Sequence, residues 1–118
     1  MRFTLALLLI AFLINSCSQT VYSNEVKFTV SNHTSNLIDS ILVQPDRSQG
    51  KLQFSLAPKE SKEISINLSG LGDGAYGITY KIGTIHKYGV FGYFSNGIAL
   101  EKLHKILIEA DTVVYKTN

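Results

Sequence analysis

From Glu25 onward, hydrophobic and polar residues alternate with a period of two, which is the pattern of β-strands that bury one face. The alternation is clearest in segments 26–30, 52–56, 64–68 and 76–82, where every second side chain is apolar. Sequences rich in Asn, Ser, Gly, Pro and Asp separate these segments and predict turns. Strands 51–57 and 62–68, joined by the turn 58–61, form the clearest predicted hairpin.

Two predicted strands contain irregularities. In segment 38–43 the apolar positions change parity, which predicts a bulge near Ser40. Gly89 and Gly92 interrupt the aromatic segment 88–94 and predict a bulge or a close approach of the backbone to another group.

The last third of the chain is compatible with two structures. Asn96-Gly97 is typical of a hairpin turn, but segment 98–103 consists of strong helix formers. The β-branched residues Ile106 and Ile108 oppose a long helix. We therefore predict two final strands, 103–108 and 112–116, and whether residues 98–104 are helical stays open.

The predicted strands are short, number about seven or eight, and follow one another at intervals of about 8 to 12 residues. This rhythm predicts an all-β fold, an antiparallel β-sandwich, with a small β-barrel as the alternative. In its strand rhythm the domain resembles immunoglobulin-like and transthyretin-like sandwiches. That resemblance concerns architecture and implies no function.

The first residues have a different character. Arg2 precedes the uninterrupted apolar segment 5–14, which is the layout of a secretory signal peptide. A transmembrane helix needs roughly 20 apolar residues, so this segment is too short to span a bilayer. The N-terminus therefore indicates export.

The sequence Leu13-Ile14-Asn15-Ser16-Cys17 at the end of this segment resembles the lipobox of bacterial lipoproteins. The resemblance implies that the chain is cleaved before Cys17 and that Cys17 is acylated. It divides the protein into a signal peptide (1–16), a lipidated cysteine with its tether (17–24) and a β-sandwich domain (25–118). The alternative is an ordinary secretory signal that contains a cysteine.

The lipoprotein resemblance also implies a location. The protein would be attached to a membrane through its N-terminal lipid in the bacterial cell envelope. Residue 18 is serine rather than the aspartate that retains some lipoproteins at the inner membrane. We therefore expect the outer membrane, with the domain facing the periplasm.

Composition excludes several functions. Cys17 is the only cysteine, so lipidation would leave no thiol for a disulfide, a nucleophile or a metal. Removal of Arg2 leaves ten basic and nine acidic residues, scattered singly, which gives no basic face for nucleic acid.

No motif specifies an enzyme or a cofactor. The sequence Gly72 to Gly77 matches the dinucleotide pattern G-x-G-x-x-G, but the β-forming segment that follows provides no helix N-terminus for a phosphate. His33, His86 and His104 are dispersed and are predicted to be surface or turn residues. Copper or zinc binding by two of them remains an alternative.

The strongest candidate for binding is the aromatic segment near residues 88–96. In Phe91-Gly92-Tyr93-Phe94, neighbouring side chains point to opposite faces, so Tyr93 or Phe94 is expected outside the core. Exposed aromatic rings bind protein partners or sugars, whereas the alternative is that they form the core of the central strands. We expect a non-catalytic envelope protein that binds another protein, as an accessory subunit, adaptor or inhibitor, or alternatively a glycan. The candidate ligand-binding residues are Tyr88, Tyr93, Phe94 and Asn96.

Overall fold

Nine β-strands make up all the regular secondary structure of the described residues, and no helix occurs among them. The structure is a computed structural model, and it describes residues 23–45 and 52–117. The strands are β1 (Glu25–Asn32), β2 (Ile38–Gln44), β3 (Phe54–Leu56), β4 (Ser61–Asn67), β5 (Gly74–Ile82), β6 (Ile85–Ser95), β7 (Ile98–Ala99), β8 (Leu103–Ile108) and β9 (Val113–Thr117).

The strands form two sheets that pack as a sandwich, which confirms the predicted fold class. The first sheet has the order β4-β1-β8-β9, and the second has the order β3-β2-β5-β6-β7 and curls into a half-barrel. One pairing differs from a purely antiparallel arrangement, because β1 and β8 run parallel. A parallel pair needs a long connection, and the chain between β1 and β8 supplies it by building the second sheet and β4.

The core lies between the sheets and is formed by the residues that the alternation predicts to be inside. Val26, Phe28 and Val30 of β1 are fully buried, and Tyr76 and Ile78 of β5 face them. Each of these side chains removes apolar area from water, which contributes roughly 1.5–3 kcal/mol for a large aliphatic or aromatic group. The period-two pattern therefore defines the inner faces of both layers.

Both predicted irregularities are present. Ser40 has a φ of 53°, and the register between β2 and β5 shifts at this point. Gly92 has a φ of 61° and lies in a bulge, where Gly92 and Tyr93 of β6 together face the single residue Ala75 of β5. Glycine adopts this left-handed conformation without a steric penalty, so Gly92 is suited to the bulge.

The predicted hairpin of 51–57 and 62–68 is wrong. β3 pairs with β2 in the second sheet, whereas β4 pairs with β1 in the first. The connection at 57–60 carries the chain from one layer to the other, and strands on either side of such a connection bury alternate residues just as a hairpin does. Leu52, predicted to be buried, is 63 % exposed because it precedes β3 and lies outside the core.

The last third of the chain contains strands only. Asn96 and Gly97 have φ angles of 52° and 68° and join β6 to the two-residue strand β7 in a tight turn. β8 has the predicted bounds, and β9 begins one residue later than expected. Residues 98–104 are therefore not helical.

The start of β1 is held in the domain by hydrogen bonds. Asn24 Nδ2 donates to the Gly97 carbonyl at 2.7 Å, and the Ala99 amide donates to the Ser23 carbonyl at 3.0 Å. The last two residues of the predicted tether 17–24 thus belong to the folded domain. The predicted signal peptide and Cys17 lie outside the described residues.

The sandwich has two ends, an N-terminal end and a distal end. The N-terminal end contains the start of β1, the turn 96–97, the start of β8 and the end of β9. The distal end contains the connections 33–37, 57–60, 83–84 and 109–112. No helix in the described residues is long and apolar enough to cross a membrane.

Candidate functional site

The structure separates the four candidate binding residues. Tyr88 is 71 % exposed and Tyr93 is 47 % exposed, both on β6. Phe94 is buried, with its ring centre 5.4 Å from that of Tyr76 in the core. The expectation that Tyr93 or Phe94 points outward is met by Tyr93. An external ligand would not reach the Phe94 ring, because the bulge at Gly92 returns it to the inner face.

Asn96 has a structural task in the turn between β6 and β7. Its backbone amide donates to Asp73 Oδ1 at 2.9 Å, and its positive φ is one that asparagine tolerates better than most residues. Asp73 also accepts a hydrogen bond from Ser95 Oγ at 3.2 Å. Asn96 lies exposed at the N-terminal end, away from the Tyr88 ring and from the start of β6.

The exposed tyrosines belong to a larger hydrophobic surface on β6. Of the seven large hydrophobic residues that are exposed in the described part of the chain, four lie on this one strand. We define the β6 surface as Tyr88, Val90 and Tyr93; Ile85 has the opposite parity and pairs with Ile82 at the start of the strand. Val90 is not among the predicted binding residues, although its parity with Tyr88 places it on the same face.

The neighbouring strand leaves this surface uncovered. Val90 lies opposite Gly77 of β5 and Tyr88 lies opposite Thr79. A side chain at Gly77 would meet the Tyr88 ring at 3.7 Å, so the ring lies beside a residue that has no side chain. The result is a shallow apolar surface on the outer face of the second sheet.

The edge of β6 beside this surface is also open. β6 pairs with β5 along one side, but β7 pairs with it on the other side only at Phe94 and Ser95. Along residues 85–93 the second edge has no strand partner among the described residues. Backbone N–H and C=O groups along such an edge are available to pair with a strand from another chain.

Tyr115 of β9 closes the core next to this edge. Its ring stacks on Phe91 with the ring centres 4.5 Å apart and an interplanar angle of 13°. Its hydroxyl occupies the space that a side chain at Gly89 would need. The sequence predicted a close approach of the backbone at this glycine, and Gly89 of β6 indeed lies close to Tyr115 of the opposite sheet.

A cavity of about 350 Å³ opens beside the β6 edge at the distal end. Burial raises the pKa of the Tyr115 phenol and that of the Tyr80 phenol. The nearby Tyr115 also raises the pKa of Tyr80. Both phenols are therefore neutral hydrogen-bond donors at neutral pH and do not act as bases. The cavity is lined by Tyr80, Lys87, Tyr88, Glu109, Asp111 and Tyr115, among others.

A buried histidine lies at the centre of the aromatic core. His104 is 3 % exposed, which corrects the prediction of a surface or turn residue, and its ring centre lies 5.0 Å from that of Tyr76 and 5.4 Å from that of Phe28. His104 Nε2 and the Tyr76 hydroxyl are buried polar atoms without a hydrogen-bond partner in the described structure. Burial lowers the pKa of His104, while the nearby Glu101 acts to raise it. Burial also raises the pKa of Tyr76 to about 12. Both groups are uncharged at neutral pH.

The histidines do not converge. His33 lies after β1 and contacts Glu109 through Nδ1 at 2.9 Å, His86 lies at the start of β6, and His104 is in the core. No group of three or more His, Cys, Asp or Glu side chains that could hold a metal ion occurs among the described residues.

Asp73 and His86, a carboxylate and an imidazole, also lie apart. Asp73 lies at the N-terminal end beside the turn 96–97, whereas His86 lies opposite Lys81 near the distal end. The glycine-rich sequence 72–77 leads directly into β5, so no helix N-terminus follows it.

Comparisons with known proteins find no match. No family model, no curated protein and no solved structure matches the chain. The functional proposal therefore depends on the surface of the domain itself.

Proposed function

We propose that this protein is a lipid-anchored, non-catalytic protein of the bacterial cell envelope that binds another protein through β6. The observation that carries the proposal is the coincidence of an open strand edge with the β6 surface. The anchor would be the acylated Cys17, inserted in the outer membrane, with the domain facing the periplasm. The protein would act as an accessory subunit, an adaptor or an inhibitor.

Protein binding fits the geometry of β6 because strand addition uses two features together. Main-chain hydrogen bonds along an open edge supply affinity, and side chains that alternate along the strand supply specificity. Residues 85–93 provide the edge, and Tyr88 and Val90 provide exposed side chains of the same parity. Exposed aromatic residues are also the commonest centres of binding energy at protein interfaces.

The double variant Tyr88→Ser/Val90→Ser is expected to lose the partner while it keeps the fold. Both side chains are more than half exposed, so their replacement should change the free energy of unfolding by no more than about 0.5 kcal/mol. Photo-cross-linking in cells, with the cross-linker at residue 86 of β6 and then at residue 65 on the opposite face, measures the contact. We expect one protein to be linked from residue 86 only.

Leu52→Ser is the matched control, because Leu52 is a large hydrophobic residue that is 63 % exposed away from β6. It should leave the cross-link unchanged. Equal cross-linking of the wild type and the double variant would show that β6 does not bind the partner.

A glycan-binding module is the second candidate, favoured by the two exposed tyrosine rings on one face of β6. Aromatic faces stack on sugars as well as on protein side chains. If peptidoglycan fragments bind the purified protein and Tyr93→Ala abolishes that binding, the glycan replaces the protein partner in the proposal.

Cys17→Ala is expected to move the protein from the membrane fraction to the soluble fraction. Stable attachment requires two or more acyl chains or an additional signal, and the lipoprotein modification would supply the chains. Cell fractionation with Ser16→Ala, which keeps a small residue before the cysteine, is the control. A Cys17→Ala protein that still pellets with membranes as the wild type does would contradict the lipid anchor.

A further inference from the structure

We propose that the partner of β6 presents an extended peptide segment, which pairs with the open edge through the backbone of His86, Tyr88 and Val90. The segment directs an uncharged polar side chain into the cavity beside this edge, toward the hydroxyl groups of Tyr80 and Tyr115. This inference rests on the proposed function, because it assigns a binding mode and a chemistry to the protein that β6 binds.

The register of the β5–β6 hairpin determines which backbone groups of β6 point away from β5. Residues 83–84 form its two-residue turn, so Ile82 and Ile85 are a hydrogen-bonded pair. In an antiparallel ladder, hydrogen-bonded and non-hydrogen-bonded pairs alternate. The odd-numbered residues 85–91 therefore bond to β5, whereas the N–H and C=O groups of the even-numbered residues 86–90 point to the open edge.

The pairing beyond the bulge agrees with this assignment. Phe94 lies opposite Gly74 of β5, and the next residue, Ser95, pairs with Ile98 of β7 on the other side of the strand. The two-residue strand β7 thus occupies the same edge that residues 86–90 leave without a strand partner in the described part of the chain. A segment that continues the line of β7 along β6 would add one strand to the second sheet.

The cavity of about 350 Å³ lies along this edge. Its lining includes the consecutive residues 87–90, whose side chains alternate between the two faces, so the cavity meets the strand along its edge. The opposite wall is formed by residues 109–113 and by Tyr115 of β9. Side chains on adjacent strands that lie level with each other share one face. Side chains of an added strand that are level with Lys87 and Gly89 would therefore point between the sheets, into the cavity.

Two phenol groups are available to a side chain that enters the cavity. Tyr80 is only 5 % exposed, and it lines the cavity together with Tyr115. Neither hydroxyl makes a hydrogen bond to another described residue. The Tyr80 oxygen is nevertheless not sealed from solvent, so it reaches the cavity. A polar group from a partner would give both hydroxyls the hydrogen bond that the domain itself does not provide.

The charges around the cavity nearly balance, which favours an uncharged side chain. Lys87 is the basic residue of the lining, and Glu109 and Asp111 are the acidic ones. Glu109 already contacts His33 Nδ1 at 2.9 Å. A charged side chain of either sign would meet a like charge, whereas a hydroxyl or an amide accepts a hydrogen bond from a phenol and buries no charge. The cavity has room for such a side chain, since one water molecule takes up only about 30 Å³.

Amide hydrogen exchange of the full-length protein tests the edge without a partner. The amides of His86, Tyr88 and Val90 should exchange at least about tenfold faster than those of Lys87 and Gly89, because only the latter two donate to β5. Equal exchange rates for the two sets would overturn the inference, since the edge would then not be open.

Photo-cross-linking in cells from residue 86 measures the role of the edge in binding. Val90→Pro removes one N–H from the edge and no hydrogen bond to β5. Val90→Ala is the matched control, because it also shortens the side chain but keeps the N–H. We expect the cross-linked fraction of Val90→Pro to be at least about tenfold below that of Val90→Ala, since a carbonyl of the partner segment loses its donor.

The double variant Tyr80→Phe/Tyr115→Phe tests the cavity in the same assay. It deletes the two hydroxyls and keeps both rings, including the ring that stacks on Phe91. The cross-linked fraction should fall about tenfold, because the polar side chain of the partner would be buried without its hydrogen bonds. Tyr93→Phe, which deletes a hydroxyl outside the cavity lining, is the control and should bind as the wild type does.

The outcomes separate this inference from the proposed function. If Tyr88→Ser/Val90→Ser loses the partner but Val90→Pro or the double phenylalanine variant binds as its control does, only the inference is overturned. β6 would then bind the protein without strand pairing or without the cavity. The absence of any cross-linked protein from residue 86 of the wild type would overturn the proposed function, and this inference with it.

Discussion

Gly92→Ala is expected to lower the free energy of unfolding by roughly 2–5 kcal/mol. The residue has a φ of 61°, a conformation that costs an L-amino acid about 1–2 kcal/mol. In addition, the new Cβ would lie 2.7 Å from Tyr76 Cδ2 and 3.0 Å from His104 Cε1, so the core would have to move. Overpacking of a core of this kind costs about 1–3 kcal/mol more. Urea unfolding followed by circular dichroism measures the effect.

Gly83→Ala separates the two contributions. Gly83 has almost the same φ, 59°, in the turn between β5 and β6, but its Cβ would meet nothing within 4 Å. Only the backbone cost of about 1–2 kcal/mol should remain. If the two variants were equally destabilised, the close packing of Tyr76 and His104 around the bulge would be wrong.

Acidification is expected to destabilise the domain through His104. Burial among aromatic rings lowers the pKa of His104 below its ordinary value of 6.5 in the folded state, although Glu101 acts in the opposite direction. Below about pH 6.5 the His104 side chain therefore binds a proton more readily in the unfolded chain than in the folded domain. The contribution of uncharged His104 to the free energy of unfolding is fully present above this pH. It falls as the pH is lowered toward the pKa of His104 in the folded domain, and it levels off below that pKa.

His104→Phe should remove this part of the pH dependence, which sets in below about pH 6.5. The substitution keeps an aromatic ring beside Phe28 and Tyr76 and deletes the unpartnered Nε2. Thermal unfolding across this pH range gives the comparison. His86→Phe, at an exposed position, is the control and should keep the slope of the wild type. A His104→Phe protein with an unchanged slope would assign the acid sensitivity to other groups.

The sequence predicted local features of the fold well, because local features depend on neighbouring residues. The bulges at Ser40 and Gly92 follow from a change of parity and from a glycine within a strand. The prediction of a hairpin for 51–57 and 62–68 was wrong, because the pairing of strands depends on residues that are distant in sequence. Alternation reports which side of a strand is buried, but it does not report which sheet lies on that side.

The candidate site was predicted in part. Tyr88 and Tyr93 are on the surface, whereas Phe94 is in the core and Asn96 is used by a turn. The bulge at Gly92 decided between Tyr93 and Phe94, and its register is visible only once β5 and β6 are paired.

By itself, the sequence determined which residues form strands, which faces are apolar, where turns and bulges occur, and the lipobox-like N-terminus. These properties follow from side-chain period, backbone freedom and composition, which are local along the chain. Only the tertiary structure decided that β6 is an open edge and that His104 is enclosed by aromatic rings. Such features join residues that are distant in sequence, because they depend on the order of strands within two sheets.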